Sequence, residues 1–385
     1  MTSLKALALV ATLSLFLMNN TASAQCPASV LATGLKAPTK IILSTTGNLL
    51  VAEAGNGPNT GRISIIDKIT GARRTLIDGL PAGFAAPSND PSGPSGLVMR
   101  GRTLYVTIGA GDSVINGSVP GVTFLPNPNP ASTLFSSVLA IHFSASVEMG
   151  TEGFVVNILD QIALKNGTRV SLTNGSGDQL SVELVADFPD YVPEPNPFEP
   201  NNVRASNPFG VEIFANRLYV ADASANSVRR VNIATGSFET LTVFAPLPNN
   251  RGFGPPVVEA VPDSIHLFQN QLLVSQLTGF PFPIGNSQVS AVDIATGANT
   301  PFITGLTSAI DVLAEGNGEF LTLEFTGNML APGTPGRLSL YATPTATPVV
   351  IANCLITPTS MVEQEQTGDI FVTEIFTGRV MKIER

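Results

Sequence analysis

Pro208-Phe209-Gly210-Val211-Glu212-Ile213-Phe214-Ala215-Asn216-Arg217-Leu218-Tyr219-Val220-Ala221-Asp222 is the stretch on which the fold turns, because both of its halves return along the chain. The first half is a proline or small residue followed by a short apolar strand. It recurs at Pro38-Thr39-Lys40-Ile41-Ile42, Pro94-Ser95-Gly96-Leu97-Val98, Pro262-Asp263-Ser264-Ile265, Ser308-Ala309-Ile310-Asp311-Val312 and Pro358-Thr359-Ser360-Met361. The second half follows a turn and recurs as Leu49-Leu50-Val51-Ala52-Glu53, Leu104-Tyr105-Val106-Thr107-Ile108, Leu272-Leu273-Val274-Ser275-Gln276, Phe320-Leu321-Thr322-Leu323-Glu324 and Ile370-Phe371-Val372-Thr373-Glu374. Such near-continuous apolar strands are buried on both faces. Third and fourth strands follow in most copies, joined by Thr70-Gly71, Thr235-Gly236 and Thr296-Gly297, where glycine accepts a positive φ. Four antiparallel strands repeating at about 50 residues mark propeller blades. The expected fold is all-β, a six-bladed β-propeller of four-stranded antiparallel blades.

The blades are expected over residues 36–80, 90–190, 203–245, 257–306, 307–355 and 356–385. The last has only three strands of its own, and residues 28–35 match the outer strands of other copies, so the N-terminal strand should close the ring and remove two open sheet edges. Blade two breaks the period, with 114 positions between Ile108 and Asp222. Since no repeat phrase intervenes, this reads as an insertion over 144–175, forming an extra hairpin turned at Asn166-Gly167.

Composition agrees with strands and tight turns. Of 385 residues only 13% are charged, while 35 are glycine and 30 proline. A net charge of −9 with no basic cluster argues against nucleic acid as a partner. Residues 1–24 read as an export signal: Lys5, then the apolar run Ala6 to Met18, then Ala22-Ser23-Ala24, with cleavage expected after Ala24. No later run offers the roughly 20 apolar residues of a membrane-spanning helix, so a secreted or periplasmic, monomeric protein is expected. Export would permit a bond between Cys26 and Cys354. In the repeat alignment, however, Cys354 corresponds to Gly34, which puts the two roughly 25 Å apart at ~3.3 Å per residue. A bridge needs Cα atoms within about 7 Å, so two separate thiols are expected unless the N-terminus curls back.

Beyond this common pattern, Gly93-Pro94-Ser95-Gly96-Leu97, Ser206-Asn207-Pro208-Phe209-Gly210, Val220-Ala221-Asp222-Ala223, Ala225-Asn226-Ser227 and above all Leu277-Thr278-Gly279-Phe280-Pro281-Phe282-Pro283-Ile284-Gly285 carry a family resemblance. The chain resembles the ScyD/ScyE family, exported NHL-like propellers whose founding members are encoded beside the cyanobacterial genes for the pigment scytonemin. The resemblance implies the fold and admits an accessory role in extracytoplasmic pigment synthesis. The insertion in blade two is longer than in similar proteins, and Tyr191 to Asn202 only loosely matches the family's acidic stretch.

Candidate chemistry starts from the residue that ends each second strand: Glu53, Asp222, Gln276, Glu324 and Glu374. Arranged around one end of an axial channel, these oxygens could hold a Ca²⁺, which takes 6 to 8 of them; alternatively, each bonds backbone amides at a loop entrance. Asp311, within an innermost strand, is a further channel residue that needs a partner. Phe280 and Phe282 form either an aromatic contact platform or a plug between blades. His266 is the best-placed general base, though a lone histidine among apolar neighbours also serves as a hydrogen-bonded core residue. Zinc chemistry lacks ligands, and no nucleophile elbow, phosphate loop or dinucleotide fingerprint appears in a supporting context. The leading expectation is a non-catalytic binding or scaffolding propeller that takes a small molecule, protein or polysaccharide at the channel face. A Ca²⁺-dependent, lactonase-type hydrolase is the alternative.

Overall fold

The computed structural model describes residues 26–150 and 153–385; the expected export signal lies outside them. Six sheets close into a ring, four of them four-stranded and two five-stranded, antiparallel throughout except for one short outermost strand in blade one. Each innermost strand packs on that of the next blade, and the sixth, Pro358–Gln364, packs on the first, Pro38–Leu43. The second strands form the core, Leu49–Glu53 and Phe320–Glu324 being buried at every residue. Ala28–Ala32 pairs antiparallel with Arg379–Ile383 and becomes the outer strand of blade six. Among the described residues no helix is long and apolar enough to cross a membrane.

Neighbouring outer strands cross rather than run side by side, and the Thr-Gly turns show where. Gly71 (φ +71°) and Gly297 (φ +74°) open the outer strands of blades one and four, and a Cβ on either would strike a carbonyl of the preceding blade's outer strand, Leu31 or Leu241. Glycine is thus required both for its backbone angle and for close approach. Cys26 stands nine residues before Leu35, as Gly71 stands before Leu80 and Gly297 before Leu306. It therefore occupies the position that lands on the preceding outer strand, Val349–Leu355, which carries Cys354. The expectation of two separated thiols is corrected: Cys26 and Cys354 form a disulfide with Cα atoms 5.8 Å apart. Counting residues along equivalent strands overlooked their crossing.

The hairpin expected within the insertion is also corrected. Blade two's third and fourth strands are Ser137–Phe143 and Gln179–Asp187. Among the described residues the segment between them holds two helices, Ala145–Gly150 and Ile158–Lys165, and two strands, Phe154–Val155 and Val170–Thr173, the last of which turns at 174–178 into the fourth strand, so no hairpin turns at Asn166-Gly167. Asn157 explains the second helix: its side chain accepts from the Leu159 and Asp160 amides while Asp160 accepts from the Asn157 amide, a capping box. Asn166-Gly167 is this helix's end, where both amides bond back to Ile162 and Leu164 carbonyls and Gly167 takes φ +78°.

This segment joins two blades. Phe154–Val155 pairs in parallel with Arg73–Leu80 of blade one, and Val170–Thr173 pairs with the fourth strand of blade two. Gln161, fully buried, donates to Asn59 Oδ1 (3.2 Å) and the Gly79 carbonyl (3.1 Å) and accepts from Ser132 Oγ (2.7 Å).

The disulfide spans 328 residues, and cross-linking so long a loop restricts the unfolded chain by on the order of 3–5 kcal/mol. Reductant should lower the urea midpoint of the wild-type protein and leave that of Cys26→Ser/Cys354→Ser unmoved. Equal wild-type midpoints with and without reductant would show that the bridge adds no stability.

Candidate functional site

In all six innermost strands the pairing slips by one residue at the same place. Pro38 faces Glu53 but Lys40 faces Ala52; Pro208 faces Asp222 but Val211 faces Val220; Ala309 faces Glu324 but Asp311 faces Leu323; the other three blades repeat the slip. Such bulges re-aim side chains. Here they turn Thr39, Ser95, Phe209, Asp263, Ile310 and Thr359, one from each blade, into the floor of a cavity of about 700 Å³. Its walls come from loops after the second strands, with Phe325, Met329, Ile375 and Phe376, and from the hairpin joining blades one and two, with Pro87 and Pro91. The cavity therefore sits over the axis at the mouth of the ring.

Most floor hydroxyls are already committed. Thr39 donates to the Pro94 carbonyl (2.8 Å), Thr359 to that of Pro38 (2.9 Å) and Ser95 to that of Gly93 (2.8 Å). The first two bonds also link neighbouring blades. Asp263 differs: it is 4% exposed and its Oδ2 has no hydrogen-bond partner. Burial pushes this carboxyl well above the usual carboxylate range, and the negative Asp311 nearby adds to the shift.

Away from the floor, Asp311 from blade five meets Lys40 from blade one and His266 from blade four. Lys40 Nζ lies 3.2 Å from Asp311 Oδ2, His266 Nε2 lies 2.9 Å from Oδ1, and Lys40 Nζ is 3.2 Å from His266 Nε2. Ser360 Oγ (2.9 Å) and the Met361 amide (3.0 Å) of blade six also donate to Oδ2. Burial alone would raise the Asp311 carboxyl, but the Lys40 and His266 charges outweigh it and hold the group well below the usual carboxylate range. Asp311 is thus a structural anion that ties four blades together across the axis. His266 is bound into the same cluster.

The structure does not gather Glu53, Asp222, Gln276, Glu324 and Glu374 into one site. Each turns to its own blade. Glu53 takes Arg62 (Nε–Oε1 3.0 Å) and the Lys36 amide (2.5 Å); Asp222 takes Arg229 (2.8 Å) and the Asn207 amide (2.8 Å). Glu324 takes Arg337 (2.5 Å) and the Thr307 amide (2.7 Å); Glu374 takes Arg379 (2.9 Å) and the Ile356 amide (2.6 Å). Gln276 pairs with Ser290 and Gln288. Carboxylates so neutralised do not fit a calcium ion, and among the described residues no three His, Cys, Asp or Glu side chains are grouped to hold a metal.

Sequence reasoning missed the partners. Gly61-Arg62, Gly336-Arg337 and Gly378-Arg379 each open a third strand, with the arginine directly opposite the carboxylate. That recurring Gly-Arg was the available signal. The glycine is needed at two of these places because a Cβ on Gly61 or Gly336 would strike the proline that opens the next blade, Pro94 or Pro358. Lys40 and Asp263 sat inside quoted repeats, yet nothing in their spacing marked them.

Phe280 is 59% exposed and Phe282 half-buried. Phe280 stacks edge-on against Phe282 (6.0 Å) and against Phe253 (6.3 Å) from the hairpin between blades three and four, and none of the three lines the axial cavity. They form a small surface cluster, outside the blade core.

No family model matches the chain, and no curated protein matches it. Among solved structures it is similar to a putative oxidoreductase (glucose dehydrogenase) from Thermus thermophilus, at 13% identity and TM-score 0.47 over 92% of this chain and 98% of that one. It is similar to the PQQ-bound form of aldose sugar dehydrogenase from Streptomyces coelicolor, at 14% and 0.47 over 93% and 97%. A computationally designed protein, Ika8, aligns at 12% and 0.41 over 92% and 99%. At these identities nothing about activity passes from them to this chain.

The two axial aspartates should titrate stability in opposite directions. A depressed carboxyl contributes stability above its unfolded value near pH 4 and loses it below, whereas a raised one costs stability as pH climbs above that value. In urea unfolding from pH 3 to 8, Asp311→Asn should cost about 3–5 kcal/mol at pH 7, having stranded Lys40. Asp263→Asn should instead gain on wild type as pH rises. Parallel pH profiles for the two variants would refute the assignment.

Proposed function

We propose that this protein is a non-catalytic binding propeller that takes a small molecule in the axial cavity. The observation that carries this reading is the cavity itself: about 700 Å³, walled by loops, floored by one residue from each blade, and lined by phenylalanine, proline and aliphatic side chains together with serine, threonine and asparagine, a mixture suited to a ligand site. Apart from Asp263 on the cavity floor, the titratable groups suited to chemistry lie elsewhere or are already neutralised. His266 and Asp311 satisfy each other, and the second-strand carboxylates are held by arginines. A calcium-dependent hydrolase would need those carboxylates free. The ScyD/ScyE resemblance, and export to an oxidising compartment where the Cys26–Cys354 bond persists, belong to the same reading.

Nile red, a neutral apolar dye, tests it. Wild-type protein should bind the dye saturably with a blue-shifted emission, and Phe325→Ala/Phe376→Ala, which strips two cavity walls, should weaken binding about tenfold, the ~1.4 kcal/mol expected of lost aromatic contact. Phe253→Ala/Phe280→Ala should have no effect. If the surface pair governs binding and the cavity pair does not, the site is wrongly placed.

A further inference from the structure

The cavity floor contains a carboxyl oxygen that the folded protein leaves without a partner, and its chemistry narrows what the cavity accepts. Asp263 is 4% exposed, lines the cavity, and keeps Oδ2 unpaired while the Thr39, Ser95 and Thr359 hydroxyls around it donate to main-chain carbonyls. The donor turned toward its carboxyl is the Leu277 amide, itself bonded to the Val261 carbonyl at 2.9 Å. Thr357 Oγ1, in the same cavity wall, is likewise buried and unpaired. Two orphaned polar atoms in one cavity are hydrogen-bonding capacity that a ligand can satisfy.

The charges decide the kind of ligand. The ionisable residues lining the cavity are Asp90, on its exposed rim, and Asp263; no lysine, arginine or histidine lines it. An anion would meet only acids. Burial, the negative Asp311 nearby and the lack of a cation in the cavity lining all favour the protonated form of this carboxyl, which would make the unpaired Oδ2 a donor in want of an acceptor. We propose that Asp263 is the recognition group of this cavity, donating its O–H to the carbonyl or other acceptor oxygen of an uncharged, largely apolar ligand held between Phe209, Phe325 and Phe376. This rests on the axial cavity being the binding site. The direction of the Asp263 shift, upward through burial, favours the neutral acid. A neutral acid of this kind also selects, because a ligand without an acceptor leaves the O–H buried and unmet.

Three probes of matched shape test the proposal on the whole chain at pH 6 by ligand-observed NMR: benzophenone, which offers a carbonyl; 1,1-diphenylethylene, which replaces it with carbon; and benzhydrylamine, which is cationic. Benzophenone should bind about tenfold more tightly than the alkene, as one neutral hydrogen bond warrants. Asp263→Asn, whose amide still donates, should keep that preference, and Asp263→Leu should level the two. Equal affinity of ketone and alkene for the wild-type protein would overturn the role of Asp263 while leaving the cavity as the site, and this comparison needs no variant to fold. Tightest binding of the amine would overturn it as well, by showing an ionised Asp263. If none of the three binds, the axial reading falls together with it.

Discussion

Ala28–Ala32 reaches blade six from the opposite end of the chain and pairs with Arg379–Ile383, and every other feature of the ring depends on that pairing. A propeller opened at one seam has two exposed sheet edges and an axis with a gap in its wall. Closure holds the innermost strands at fixed spacing, so Thr359 can donate to Pro38 and Thr39 to Pro94 from one blade to the next. It also brings Lys40 of the first blade against Asp311 of the fifth. The disulfide from Cys26 to Cys354 sits just before the closing strand and fixes it to blade five, a covalent tie for a strand that is otherwise held in blade six by its pairing with Arg379–Ile383.

Repetition sets the backbone, and departures from repetition make the site. The one-residue bulge is common to all six innermost strands, so each blade turns a residue to the same depth on the axis. Side chains at that depth are not repeated: two threonines, a serine, a phenylalanine, an isoleucine and an aspartate. The second-strand carboxylates show the converse. They recur because each, with its arginine and an incoming loop amide, fastens the start of its own blade, and a residue that performs the same task in several blades is a structural part.

This also explains how much was legible in the sequence. The blade number, the strand order within blades and the closing strand rest on period and apolar pattern, which are local and recurrent, and they are seen in the structure. The Asn157 capping box was readable but hidden by an Asn-Gly that resembles a hairpin turn and instead ends a helix. The disulfide was misjudged because strand crossing is a property of the assembled ring, visible only through where Gly71 and Gly297 land. The acids at Glu53, Glu324 and Glu374 stood out as a ring of oxygens, whereas their arginines, five to thirteen residues on, declare themselves only once strand register is known.

Asp263 and Asp311 show the limit most clearly. They stand one register position apart on the innermost strands of adjacent blades, both nearly inaccessible, and their protonation is driven in opposite directions. Burial acts alike on the two. What separates them is a lysine from the other side of the ring and a histidine whose side chain reaches Asp311 and leaves Asp263 alone. Residue type and setting are alike for both, an aspartate in a short innermost strand, so the distinction between a structural anion and an unmet acid arises only when six separate strands converge on an axis. A bound ligand with an acceptor oxygen would complete at Asp263 what Lys40 and His266 complete at Asp311.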